Sequence, residues 1–134
     1  MMRSMKPPSI TLYGIPNCDT VKKSRAWMTG HGLDYAFHDF KKQGVPADQL
    51  AEWTQALGWQ KLLNRQGTTW RKLAPEIQTA VQDDASARAA MQSHPSTIKR
   101  PVIEWQFADR AEPQICVGFV PDLWLTLLDK PLQN

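Results

Sequence analysis

Within its first forty residues the chain carries a strand, a helix and a second strand, and that order leaves few folds open. Ser9-Ile10-Thr11-Leu12-Tyr13-Gly14 is a short β-prone run that ends on a glycine. Ile15-Pro16-Asn17 breaks it. From Cys18 to Gly32 the pattern turns helical, with Val21, Ala26 and Trp27 offering an apolar face among lysines and arginines. Gly30 and Gly32 stand where a helix should stop. Leu33 to Phe40 then reads as a strand through the alternation of Tyr35 and Phe37. These three elements make a βαβ unit, in which the strands run parallel and the crossover is right-handed.

Helical signal fills the chain from about residue 45 to about residue 95. Pro46 suits a first helical turn, and Leu50, Trp53 and Leu57 follow at i, i+3 and i+7. Trp70, Leu73, Ile77 and Val81 repeat that spacing and predict a second helix. Ala87, Ala90 and Met91 predict a third, ended by His94-Pro95. Val102 to Phe107 and Gln114 to Phe119 alternate like strands, joined by a polar hairpin connection from Ala108 to Pro113. Pro121 to Leu128 closes with a short helix. The order βαβ, helical block, ββα predicts an α/β domain with one four-stranded mixed sheet, two members parallel and two antiparallel. Without its all-helical insertion, that order is the thioredoxin plan. Residues 9–134 are read as one such domain, and residues 1–8 as a flexible lead-in.

The composition agrees with a globular chain. At 134 residues it fits one domain that buries roughly two-thirds of its unfolded surface without a staple. A net charge of +3, with scattered lysines and arginines, argues against nucleic-acid binding. No apolar run approaches the roughly 20 residues of a membrane span. The lead-in has an early positive charge but no apolar core, so it does not read as a secretory signal. Two cysteines almost a hundred residues apart do not make a disulfide framework. A reducing, cytoplasmic setting is expected. Histidines at 31, 38 and 94 offer no ligand spacing with those cysteines, so no metal is expected. His38, Lys41 and Lys42 cluster at the exit of the second strand and are assigned no chemistry.

Cys18 is the residue with chemical potential. A loop that leaves a strand and enters a helix presents free backbone N–H groups and the positive end of the helix dipole. A thiol placed there has its pKa drawn down, and the thiolate is the nucleophile. Lys22 and Lys23 push the same way and Asp19 pushes back. A cysteine that packs as a small apolar residue fits the spacing as well. The polar neighbours Asn17, Asp19 and Thr20 weigh against deep burial. Val21 occupies the place where a C-x-x-C protein has its second thiol, so Cys18 cannot form a local disulfide. An adduct on it needs an external thiol such as glutathione. Cys116, within a β-prone run, reads as a buried structural residue.

Four segments taken in order carry a family likeness: Tyr13-Gly14-Ile15-Pro16-Asn17-Cys18-Asp19-Thr20, Phe37-His38-Asp39-Phe40-Lys41-Lys42-Gln43-Gly44, Leu62 to Arg71, and Lys99-Arg100-Pro101-Val102-Ile103-Glu104. Together they resemble the arsenate reductase/Spx (ArsC) family, and within it the YffB-like branch, over about Ile10 to Leu128. The resemblance implies a thioredoxin fold with a helical insertion, a catalytic cysteine at Cys18, and an arginine before a cis proline at Arg100-Pro101. A guanidinium beside a thiolate stabilises it and can fork onto an oxyanion or a carboxylate.

Two departures stand out. The family's arsenate reductases hold their oxyanion with three arginines. Here the first is shifted by one residue, as Asn64-Arg65, and the third is missing, with Val117-Gly118-Phe119 in its place. The expected function is therefore a glutathione-dependent thiol–disulfide reductase. Cys18 and Arg100 are its catalytic residues, and Asn17, Lys22, Arg65, Arg100 and Pro101 its glutathione-binding set. Glutathione is the expected co-substrate, with glutaredoxin a further partner, and no bound cofactor is expected. Arsenate reduction with an incomplete arginine set is one alternative. A non-enzymatic regulator that binds RNA polymerase, as the Spx proteins do, is the other.

Overall fold

The computed structural model describes residues 7–129. Most of the expected lead-in over residues 1–8, and the tail beyond Asp129, lie outside the described residues. The sheet has four strands: β1 (Ser9–Gly14), β2 (Ala36–Asp39), β3 (Val102–Gln106) and β4 (Gln114–Val117), in the order β2-β1-β3-β4. β2 runs parallel to β1, with Leu12 opposite Phe37 and Gly14 opposite Asp39. β3 pairs antiparallel on the other side, with Tyr13 opposite Val102. β4 closes the sheet antiparallel to β3. This is the mixed α/β sheet of a thioredoxin-like fold.

Because side chains alternate along a strand, the sheet has two different faces. Ile10, Leu12, Ile103, Trp105 and Cys116 point to one face, where α1 (Asp19–Gly30) and α8 (Pro121–Asp129) cover them with Val21, Met28, Trp124 and Leu127. Tyr13 and Val102 point to the other, with Ile115 and Val117 packed beside them. The helices between β2 and β3 cover that face: α2 (Phe40–Gln43), α3 (Ala47–Leu57), α4 (Trp59–Leu62), α5 (Thr68–Lys72), α6 (Pro75–Ala80) and α7 (Asp84–Ser93), followed by a 3-10 turn at Pro95–Thr97. Phe40, Leu50, Trp53, Leu62, Met91 and Ile98 form the core beneath them.

The boundaries depart from the sequence expectations where a local contact outweighs periodicity. Cys18 has extended backbone, φ −97° and ψ 127°, so it caps α1 and the helix starts at Asp19. The second strand ends at Asp39 because the Asp39 carboxylate accepts the Lys41 N–H at 2.8 Å, which caps α2 and turns Phe40 into a helix. The single helix expected through Trp70, Leu73, Ile77 and Val81 is two helices. Proline disfavours helical backbone at the residue before it and cannot donate an N–H, so α5 stops at Lys72 and Pro75 begins α6. β4 ends at Val117, before Gly118 at φ 87°.

One glycine sets the height of α1 over the sheet. A Cβ on Gly14 would lie 2.7 Å from Cγ2 of Val21, a distance that no packed carbon pair accepts. The end of β1 and the first turn of α1 therefore meet backbone to side chain, and the loop that carries Cys18 is held short.

Candidate active site

Both parallel strands deliver their C-termini to one end of the sheet. The antiparallel β3 begins at that end, and β4 finishes there. The loop after β1, the Arg100-Pro101 dipeptide before β3 and the Gly118-Phe119 segment after β4 are thereby brought to the same end. Three chain segments that are remote in sequence meet there.

Cys18 closes a tight turn: its N–H donates to Ile15 O at 3.2 Å, and its carbonyl accepts the Lys22 N–H at 2.9 Å. Its side chain is half-buried and caps no backbone group of α1. Burial pushes the thiol up, since a charged sulfur loses hydration. That effect is outweighed by the Val21 N–H, by the hydrogen bond and positive charge of the Arg100 guanidinium, and by the Thr20 N–H. The thiol lies below its ordinary value. The free amides of the first helical turn favour a negative sulfur at the cap position without forming a cap hydrogen bond to it.

Arg100 is fixed rather than mobile. Its Nη1 donates to Ser96 O at 2.8 Å and to Ile98 O at 3.0 Å. Its Nε is buried with no hydrogen-bond partner among the described residues, so that donor of the fork stays uncommitted. The carbonyls that anchor it belong to a segment stitched to the insertion. Leu63 bridges Ile98, Lys99 N–H donates to Leu62 O at 2.9 Å, and Asn64 N–H donates to Thr97 O at 2.7 Å. The Arg100-Pro101 bond is cis, and the buried Pro101 offers its carbonyl to Gly118 N–H at 2.8 Å. The insertion thus anchors the segment that positions the arginine.

The other residues singled out from the sequence divide. Asn17 is exposed in the Cys18 loop, and Lys22 is exposed on the first turn of α1. Neither Lys22 nor Lys23 contributes to the depression of the thiol, contrary to the expectation from their spacing. Both lysines are exposed, where a charge is strongly screened, whereas the partly buried Arg100 guanidinium acts on the sulfur. Lys23 turns instead onto Phe119, with Nζ 5.3 Å from the ring centre. Arg65 is exposed on the insertion side. It stacks over Trp59 at 5.4 Å and lines a shallow cavity of about 260 Å³ with Gln60, Asn64, Gln66 and Lys99. It is not among the groups that act on the sulfur.

Cys116 is buried on the α1/α8 face, only 3% exposed. Burial pushes its thiol up to about 11, against the pull of the Trp105 indole and the Lys61 charge. The two cysteines are free and have opposite characters. Among the described residues no group of three or more His, Cys, Asp or Glu is placed to hold a metal ion, and no helix is long and apolar enough to cross a membrane.

Sequence reading expected free backbone N–H groups at the Cys18 junction. It missed the carbonyls of Ser96 and Ile98 that anchor Arg100, which leave no signature in the sequence. A further feature lies beneath the site. The Glu104 carboxylate accepts Tyr13 O–H at 3.0 Å and Trp53 Nε1–H at 2.8 Å. Burial, with that carboxylate close by, pushes the Tyr13 hydroxyl well above the usual tyrosine range.

A thioredoxin-like sheet, a helical insertion and one thiol faced by an arginine before a cis proline define a recognisable class of protein. The chain belongs to the ArsC family, whose model matches residues 13–127. The solved structure of a YffB protein superimposes with a TM-score of 0.79 at 42% identity, covering 90% of this chain and 99% of that one. An arsenate reductase-related protein from Brucella melitensis is 45% identical with a TM-score of 0.65, over 90% of this chain and 95% of that one. An uncharacterized protein of Haemophilus influenzae is 37% identical over 94 residues, which is 70% of this chain and 82% of that protein. The global transcriptional regulator Spx of Staphylococcus haemolyticus is 23% identical over 96 residues, or 70% and 72% of the two chains.

Proposed function

We propose that this chain is a glutathione-dependent thiol–disulfide reductase with Cys18 as its nucleophile. The observation that carries the reading is the place of the half-buried Cys18 at the N-cap of α1, at the sheet end that also holds Arg100 and its cis proline, where the Val21 N–H and the Arg100 guanidinium favour its thiolate. In the proposed reaction the Cys18 thiolate attacks one sulfur of a disulfide R–S–S–R′. The Cys18–S–S–R bond forms, the S–S bond breaks, and R′–S⁻ leaves and takes a proton from water. Glutathione thiolate then attacks the R sulfur, which releases R–S–S–G and restores the Cys18 thiolate. A second glutathione converts that product to R–SH and oxidised glutathione. The two electrons come from two glutathione molecules, and Cys18 ends as it began. Arg100, uncommitted at Nε, favours the thiolate each time it is the attacking or the leaving group. Lys22, Asn17 and Pro101, at the same end of the sheet, are the groups assigned to hold the glutathione, with Arg65 at the insertion side. The setting proposed is the reducing cytoplasm.

Alkylation of Cys18 by iodoacetamide, followed against pH, tests the premise. The expected midpoint lies clearly below about 8.5, the value of an ordinary thiol. A midpoint at or above it would sink the proposal. Turnover of hydroxyethyl disulfide with glutathione should disappear in Cys18→Ser. The same preparation assayed with arsenate, glutathione and glutaredoxin addresses the alternative chemistry, which the family and the likeness to an arsenate reductase-related protein support. Little turnover is expected there, because an arginine is missing from the oxyanion set.

A further inference from the structure

Phe119 follows β4 at the sheet end that holds the thiol. Gly118, its neighbour, is tied by its N–H to the carbonyl of Pro101 at 2.8 Å, and Pro101 adjoins the arginine that faces Cys18. On the other side Phe119 meets α1, whose Lys23 lies over the ring at 5.3 Å. It packs T-shaped against Trp124, centroids 5.4 Å apart at 89°. Cys18, Phe119 and Val120 all pack against the same apolar core, and Phe119 stays half-exposed. Lys22 and Lys23 have no carboxylate within ion-pair distance among the described residues, so their charge is available to a ligand.

A half-exposed ring with an ammonium over it that forms no ion pair among the described residues, at the sheet end that also holds Cys18, is a two-part recognition surface. The ring offers stacking area, and the cation above it offers a partner for a carboxylate. We infer that Phe119 and Lys23 select the substrate of Cys18: a peptidyl disulfide whose attacked cysteine is flanked by an aromatic side chain and a carboxylate. This rests on the reading of Cys18 as the attacking thiol. The chemistry is the first exchange step already written. The aromatic flank stacks on Phe119 while the Cys18 thiolate takes the near sulfur and the far peptide leaves as its thiolate.

The experiment uses two symmetric peptide disulfides, one built on Phe-Cys-Asp and one on Gly-Cys-Gly, and no glutathione. The second-order rate of peptide thiol release is measured with excess disulfide, and the ratio of the two rates is read. The wild-type chain is expected to favour the Phe-Cys-Asp disulfide by about tenfold, the reach of one aromatic contact plus one exposed charge pair. Phe119→Leu, which keeps apolar packing on Trp124, should bring the ratio to about two. Lys23→Gln, at an exposed position, should lower it roughly threefold. Phe119→Ala is the harsher variant, and circular dichroism reports whether it folds. An unchanged ratio in both Phe119→Leu and Lys23→Gln, with rapid exchange retained, would overturn the selectivity assignment alone. Exchange no faster than that of a free cysteine peptide would overturn the nucleophile itself and this inference with it.

Discussion

Among the described residues Arg100 is the side chain whose charge bears on the sulfur of Cys18, and it does so while donating to two backbone carbonyls. That double duty depends on the guanidinium fork, which carries five N–H donors in a fixed plane. A lysine has one charged point and cannot hold the Ser96 and Ile98 carbonyls while facing the thiol. Arg100→Lys should therefore raise the pH midpoint of Cys18 alkylation, and Arg100→Ala should raise it further. In Arg100→Ala the exchange rate at pH 7 should fall by roughly tenfold, the scale of a lost charge-assisted hydrogen bond. The sign of the stability linkage follows. The Cys18 thiol is depressed in the folded chain, so its contribution is complete above the ordinary thiol value and is lost as pH falls through the lowered one. Cys116 acts in the opposite direction. Its contribution is complete below the ordinary value and is lost as pH rises toward about 11. At this scale the sequence located Cys18 at a strand-to-helix junction and Arg100 before a proline at a strand start, and the fold brings both to one end of the sheet. It misled about Lys22 and Lys23, because nearness along a helix says nothing of which way a long side chain turns.

Among the elements, β1 and α1 are the pair that hold the loop in place, and their contact is set by the missing side chain of Gly14. Gly14→Ala would drive a Cβ to 2.7 Å from Val21 Cγ2, and the helix or the valine must move. A loss of about 1–3 kcal/mol is expected, the range of overpacked cores, read as a lowered midpoint of chemical unfolding. Gly14→Ala/Val21→Ala should recover part of it, because the second change removes the methyl that clashes. Both elements were legible because their signals differ plainly: a β-prone run that ends on Gly14, then a helical pattern with an apolar face at Val21 and Trp27 among lysines and arginines. The insertion was harder to read. Its hydrophobic spacing runs through Leu73 into Ile77 as if nothing intervened, and only the chemistry of Pro75 divides it. The short α2 and α4 escaped for another reason. At four residues each they show barely one turn of periodicity, and their caps, Asp39 and Gly58, are the signals that remain.

Taken whole, the molecule is a sheet with two unlike faces, and Glu104 joins the sheet to the insertion. Its carboxylate lies on the face that the insertion covers. One oxygen holds Tyr13 of β1 and the other holds Trp53 of α3. Glu104→Ala would leave a buried tyrosine hydroxyl and a buried indole N–H without their acceptor. About 2–4 kcal/mol of stability should be lost, at the rate for buried donors left unpaired. Guanidinium unfolding followed by tryptophan fluorescence would measure it. A change well under 1 kcal/mol would mean that water replaces the carboxylate. The overall plan was legible from element order alone, because βαβ and ββα can share one sheet in few ways. The Glu104 clamp was not, since a lone glutamate in an alternating strand looks like any solvated residue.

The placement of Arg100 has a temporal consequence. During synthesis Cys18 leaves the ribosome long before Arg100, and no amide cage surrounds its sulfur until α1 has docked. A nascent or partly unfolded chain thus carries an ordinary, sluggish thiol, protonated at neutral pH, that neither oxidants nor stray disulfides find readily. On the proposed reading, only completion of the last strands arms it. The thiol would then report its own folding, and the alkylation rate of Cys18 in rising urea should drop in step with the loss of tertiary structure.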